Sequence, residues 1–262
     1  MTDSSLHHQR AIFLAAVCSQ TYAQFNNPDA AVIVPAPYRI CHVIKARSLT
    51  HHKEPFGFIL EAPEELIIAF RGTSSTTNWI ADMLASQTRF KYVQSDCRTH
   101  RGFTSIYASA RKALLSAVAK LPANKPLFIT GHSLGAALAT LCALDLAANT
   151  AFKSPYLYTF GSPRVGDPAF AKTFSRYVPN SWRFANLYDV VTMAPPPVYK
   201  LPKQEKKYYY SHVRTHSPLT FVNGAFGPNH VIGSYYGELS KLDSEFARRL
   251  NDSCPGFCPA PL

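Results

Sequence analysis

The sequence has no apolar run of the roughly 18 residues that a membrane-spanning helix needs, so no transmembrane segment is expected. Its six cysteines, at 18, 41, 97, 142, 254 and 258, contain no C-x-x-C spacing, and a zinc site is not expected either. Internal repeats, low-complexity blocks and linker-like stretches are missing, which favours one domain over residues 1–262. Charged residues are only 16% of the chain and hydrophobic ones 47%, a balance that excludes a disordered chain or a coiled coil.

Acids are scarce as well, with 16 Asp and Glu against 27 Lys and Arg, for a formal charge of +11. Such an excess suits a nucleic acid or an anionic membrane surface. No basic run exceeds two residues, however, and the densest stretch, residues 200–210 (KLPKQEKKYYY), includes an acid and a proline. It reads as a solvated surface loop, and no nucleic-acid partner is expected.

Near the N-terminus, residues 11–17 (AIFLAAV) follow Arg10 and superficially resemble an export signal. The run is short, Asp3 precedes it, and Ala11, Leu14, Ala15, Cys18 and Tyr22 keep a helical period beyond any cleavage point. Without a recognisable signal peptide the expected location is cytoplasmic, with non-standard secretion as the other route. The cysteines are then free thiols by default. Cys254 and Cys258 flank a turn-forming Pro-Gly and form a pair able to bridge in an oxidising compartment; a reduced tail is the plainer expectation.

What is present is an alternation of strands and helices. Strand-like runs lie at 39–46, 56–60, 66–70, 127–130, 156–160 and 183–188, several of them apolar without alternation, as in strands covered on both faces. Phe103, Ile106, Tyr107, Ala110, Leu114, Ala117 and Val118 make one helical stripe that ends before Pro122. Residues 133–149 are Ala- and Leu-rich nearly all round and predict a buried helix. Ile232, Tyr235, Tyr236, Leu239, Leu242 and Phe246 predict a third, amphipathic helix. The class is α/β with a mainly parallel sheet flanked by helices.

Residues 127–139 (LFITGHSLGAALA) are the most informative stretch. Gly131-His132-Ser133-Leu134-Gly135 is a G-x-S-x-G, entered from an apolar strand and left through an Ala-rich helix. That context describes a strand-to-helix turn holding a serine exposed, with glycines where a Cβ would strike the neighbouring backbone. A helix-capping serine would explain Ser133 but not both glycines. Ser133 is the expected nucleophile.

A serine hydroxyl needs a base, and the base an orienting acid, in the chain order Ser, Asp or Glu, His. His212 and His216 lie in a polar, Pro-bounded segment, whereas His230 follows a Gly-Pro-Asn loop and precedes the last helical pattern, and it is preferred. Asp189 follows a strand-like run and precedes a loop stiffened by prolines. Its competitor Asp167, in Gly-Asp-Pro, looks like a helix N-cap. Amide donors for an oxyanion are expected from Leu134 and from Thr73 in the Arg71-Gly72-Thr73 bend after residues 66–70. The segment 74–86 (SSTTNWIADMLAS) places Trp79, Ile80, Met83 and Leu84 on one side of a short helix, either a packed helix or a mobile cover.

These residues carry a resemblance. Residues 70–83 (FRGTSSTTNWIADM), 99–107 (THRGFTSIY), 129–139 (ITGHSLGAALA), 159–167 (TFGSPRVGD), 186–196 (NLYDVVTMAPP) and 229–236 (NHVIGSYY) together resemble the class 3 lipases, the filamentous-fungal triacylglycerol lipases and their bacterial relatives. The resemblance implies an α/β-hydrolase fold and a Ser133–Asp189–His230 triad. It also implies an oxyanion hole at Thr73 and Leu134, and a lid starting near Ser74. The cysteines sit elsewhere than in the secreted fungal members, and Ala136 stands where many members have a further Gly. The implied activity is carboxylic-ester hydrolysis, foremost of triacylglycerols, with transient binding at a lipid interface and no cofactor or metal. Short soluble esters, phospholipid acyl chains and plant phenolic esters are the alternatives on the same scaffold, and a non-catalytic binding protein the alternative of another class.

Overall fold

The computed structural model describes residues 3–48, 52–73, 86–200, 205–213 and 216–260. In chain order they form α1 (Asp3–Asn26), β1 (Arg39–Arg47), β2 (Lys53–Glu61), β3 (Leu66–Phe70), β4 (Gln87–Arg89), β5 (Arg98–His100) and α2 (Arg101–Val118). Then come β6 (Leu127–His132), α3 (Leu134–Asn149), β7 (Tyr156–Phe160), α4 (Pro168–Tyr177), β8 (Ser181–Asn186) and a 3-10 turn, Val190–Met193. β9 (Val198–Lys200), β10 (Lys207–Tyr209), β11 (His216–Leu219), α5 (Ile232–Ser240) and α6 (Ser244–Ser253) complete the order.

The main sheet runs β1-β2-β3-β6-β7-β8-β11. β1, β2 and β3 form an antiparallel meander, and every pairing from β3 to β11 is parallel. Helices cover both faces, so β3 and β6 are buried along their whole length and show no polar alternation. Alternate residues instead enter two different cores. Ile68, Phe70, Ile129 and Leu157 join α2 and α3 on one side. Ile67, Ala69, Phe128, Tyr158, Phe160 and Phe184 join α1, α5 and α6 on the other. This is the α/β-hydrolase arrangement.

The apolar N-terminal run is part of this second core. Ala11 to Cys18 are all buried within α1, a 24-residue helix lying across the sheet. α3 is buried nearly all round, as its composition predicts, and its one acid is matched locally. Asp145 accepts a bidentate pair from Arg111 Nε and Nη2 (2.6 and 2.9 Å), and Tyr107 Oη donates at 2.6 Å.

Two expectations need correction. The single helix expected over residues 232–246 is two helices, because Asp243 accepts from the Phe246 amide at 2.9 Å and starts α6 anew. The strand expected over 183–188 ends at Asn186; Leu187 and Tyr188 form an exposed turn that carries the chain to Asp189. His216, in the segment read as polar and Pro-bounded, opens a short edge strand, β11, that the sequence reading did not mark. All six cysteines, Cys254 and Cys258 included, are free thiols.

Candidate active site

The parallel strands end along one edge of the sheet, and the turns leaving β3, β6, β7 and β8 meet there. Ser133 sits between β6 and α3 with φ 60° and ψ −127°. Among the described residues it is the one non-glycine with positive φ. Such a conformation costs of order 1–3 kcal/mol and persists only where its surroundings impose it. Here the Ser133 amide donates to Phe160 O at 3.0 Å. The flanking glycines are required sterically: a Cβ on Gly131 would lie 2.3 Å from Gly135 O, and one on Gly135 would lie 2.2 Å from Phe70 O. β3, β6 and α3 therefore approach each other at a distance that no side chain permits.

Ser133, His230 and Asp189 are brought together, all nearly inaccessible to solvent. His230 Nε2 lies 2.8 Å from Ser133 Oγ, and His230 Nδ1 lies 2.7 Å from Asp189 Oδ2. A carboxylate only accepts, so Nδ1–H donates to Asp189 and Nε2 is left to accept from the serine hydroxyl. Asp189 also accepts from Tyr235 Oη (2.7 Å) and from the Val191 amide (2.9 Å), so three donors fix the carboxylate. Burial, and then the adjacent Asp189, push the Tyr235 phenol well up, which keeps it a donor. Asp167 is where the sequence places it: its carboxylate caps α4 through the Phe170 amide at 2.7 Å, with Pro168 in the first turn. His212 is spoken for elsewhere, bonded through Nε2 to Thr192 O at 2.8 Å.

Above Ser133, Leu134 opens α3, where the first amides have no intrahelical acceptor and the helix dipole favours negative charge. In the bend after β3, Thr73 Oγ1 is buried with no hydrogen-bond partner among the described residues. The bend carrying Thr73 is clamped. Arg71, only 2% exposed, bonds Gly72 O (2.6 Å), Pro55 O (3.2 Å) and Glu54 Oε1 (2.8 Å). Its guanidinium also stacks on Phe25 and Phe56. Gly72 leaves room for Tyr22 Oη, which would lie 2.2 Å from a Cβ there.

Sequence reasoning missed the groups behind the triad. His132, the variable residue of the serine motif, bonds His230 O through Nε2 (2.6 Å) and Tyr22 Oη through Nδ1 (2.7 Å). A carbonyl only accepts, so Nε2 carries the proton and Tyr22 donates to Nδ1. Burial, and then His230, hold the His132 pKa well below the imidazole range, consistent with this neutral tautomer. Asn186 closes the other side, donating to Asn229 O (3.2 Å) and accepting from the Phe221 amide (3.2 Å). Tyr22 and Tyr235 were legible only as apolar positions in helical stripes; nothing in the sequence marks their hydroxyls. Trp79, Ile80, Met83 and Leu84, expected in a lid, lie outside the described residues. Among the described residues no group of three or more His, Cys, Asp or Glu is placed to hold a metal ion.

A family model described as Lipase (class 3) matches residues 67–199. The chain is 35% identical over 167 residues to the lipase of Rhizomucor miehei, covering 61% of this chain and 45% of that one. It is 31% identical over 192 residues to phospholipase A1-II 6 of Oryza sativa subsp. japonica, covering 58% and 46%. The chain thus spans about half the length of the curated relatives it matches. Its structure resembles that of a triacylglycerol lipase described as having a serine protease triad at its catalytic centre. There the TM-score is 0.61 and the identity 27%, with coverage of 76% of this chain and 79% of that one. The motif-bearing half of the sequence and the fold around it therefore give the same answer, and the chain belongs to the class 3 lipase family.

Proposed function

We propose that this protein is a carboxylic-ester hydrolase acting on acylglycerols, with Ser133 as nucleophile, His230 as general base and acid, and Asp189 as the group that orients His230. The observation that carries this reading is the unbroken line of hydrogen bonds from Ser133 through His230 to Asp189 at a strained strand-to-helix turn. Ser133 Oγ attacks the ester carbonyl carbon while its proton passes to His230 Nε2. The oxyanion is met by the Leu134 amide and by Thr73. His230 then gives the proton to the departing glycerol oxygen, leaving an acyl-serine. Water, deprotonated by His230, attacks that ester, and collapse returns the fatty acid and free Ser133.

Likeness to a plant phospholipase A1 favours one second reading, release of an acyl chain from a phospholipid by the same chemistry. The segment 74–86 is proposed as the lid over the acyl site, opening at a lipid interface that binds the open state preferentially.

Ser133→Ala tests the assignment. Hydrolysis of a p-nitrophenyl ester is expected to fall by on the order of 10⁶ in kcat, with unchanged circular dichroism, and an organophosphate is expected to label wild type only. A variant retaining more than about 1% of wild-type activity would sink the nucleophile. Parallel rates on long-chain triglyceride and on phosphatidylcholine choose between the two substrates.

A further inference from the structure

Arg183 lies in the middle of β8 and is 8% exposed. Its neighbours in register are Thr159 on β7 and His216 on β11. Trp182 and Phe184 point toward α1, where they pack with Tyr158, so strand alternation sends the Arg183 side chain to the opposite face.

Among the described residues no carboxylate pairs with that side chain. Its Nε is fully enclosed and has no hydrogen-bond partner among them. Three other covered arginines are matched by a carboxylate: Arg10 by Glu65, Arg71 by Glu54 and Arg111 by Asp145. Arg183 has no such partner among the described residues; Arg164 opposes its charge, and the Tyr235 phenol favours it more weakly. Arg164 presses on it directly, and Arg183 in turn acts on His212 and His216. Burial and then Arg164 bring the Arg183 pKa down to about 10, so the group remains a cation at neutral pH. Burial and then Arg183 push His212 down to about 3, which leaves it neutral there. An unpaired buried charge is among the most expensive features a fold can hold, and it is retained only where something compensates it.

The surroundings are fixed enough to receive a ligand. Arg164 is tethered by Nη1 to the carbonyls of Met193 and Pro195. His212 is held on Thr192 O, in the turn that begins at Asp189. Two guanidiniums presented without a carboxylate match the lone pairs of an oxyanion, which each can meet with parallel N–H donors.

We propose that Arg183 and Arg164, flanked by His212 and His216, form an anion-binding site for a phosphate or carboxylate group. The site lies on the sheet face opposite α1 and holds none of the triad residues. It stands whether or not the ester-hydrolase reading holds.

The test is thermal unfolding of the full chain in chloride buffer of constant ionic strength, with sodium phosphate or sodium acetate replacing chloride. A ligand that binds only the folded state raises Tm in a saturable way. Wild type is expected to gain several degrees, and the better of the two anions identifies the group bound. Arg183→Met is expected to lose that gain while melting higher than wild type in chloride alone, because the unpaired charge is gone. Arg183→Lys keeps the charge without the fork and is expected to need at least about tenfold more anion. Sedimentation with vesicles of phosphatidylcholine containing phosphatidylglycerol separates the sources. Retention that drops in Arg183→Met assigns a lipid headgroup, and retention unchanged while the phosphate response is lost assigns a soluble anion. Equal wild-type melting in phosphate, acetate and chloride overturns the proposal. So does an equal anion response in wild type and both variants, which would be general screening of the +11 charge.

Discussion

At the scale of single residues, two buried imidazoles are held uncharged by the fold. His132 and His212 each donate Nε2–H to a backbone carbonyl, and each is held neutral by burial, with His230 adding to the effect at His132 and Arg183 at His212. In the unfolded chain the same rings take up a proton near the ordinary imidazole value of about 6.5. Below that pH the unfolded state binds protons that the folded state refuses, so stability present above about 6.5 is lost as pH falls toward the folded values, about 3 for His212. Each group contributes at most about 1.4 kcal/mol per pH unit in this window, and His212, partly exposed, contributes less. Urea midpoints measured from pH 7 to pH 4.5 should therefore fall. In His212→Gln, whose amide can still donate to Thr192 O, they should fall less steeply. An identical slope in the variant would remove His212 from the account.

At the scale of elements, the two carboxylates that compete for the triad are separated by what each one caps. Asp167 accepts from the Phe170 amide at the start of α4 and nothing ties it to His230. Asp167→Ala should cost about 1 kcal/mol, a fall of roughly 2–4 °C in Tm for a chain of this size, with kcat/KM unchanged. Loss of activity at wild-type stability would reverse the assignment of Asp189. Asp167 was legible because Gly-Asp-Pro combines a cap and a first-turn proline. The same kind of cap at Asp243 was hidden. Leu239, Ala247 and Leu250 all enter one core, so the apolar period runs straight through the break between α5 and α6. β11 was hidden for a different reason: an exposed edge strand of four residues with Pro218 in it shows neither an apolar run nor a clean alternation. Strands buried on both faces, β3 and β7, were legible to the residue, since composition alone marks them. The turn chemistry of Ser133 was legible because sterics demand two glycines there. The hydroxyls of Tyr22 and Tyr235 were not, because their partners are brought in from elsewhere in the chain by the fold.

At the scale of the whole molecule, five of the eleven exposed large apolar side chains among the described residues lie on segments next to Asp189 or leading to His230. Leu187 and Tyr188 precede Asp189, Met193 follows it, and Val222 and Phe226 lie on the path from β11 to His230. Each belongs to a segment that carries Asp189 or His230 beyond the carboxyl ends of the strands, so this apolar rim and Ser133 share an edge. Phe226 is 73% exposed, an arrangement that costs hydration in water and gains on contact with lipid. Fully burying a side chain of this kind is worth roughly 1.5–3 kcal/mol. Replacing both Val222 and Phe226 by Ser should thus weaken binding to phosphatidylcholine vesicles by at least about tenfold. The net charge of +11 adds a second, separable contribution on anionic vesicles, one that salt screens over a Debye length of about 8 Å at physiological strength. Binding to phosphatidylglycerol-containing vesicles should fall as salt rises and level off at the affinity for neutral vesicles, and the double substitution should lower that plateau. Activity on a soluble short-chain ester should be unaffected, because neither side chain touches Ser133 or His230. Vesicle affinity unchanged by the double substitution would show that the rim is not the contact.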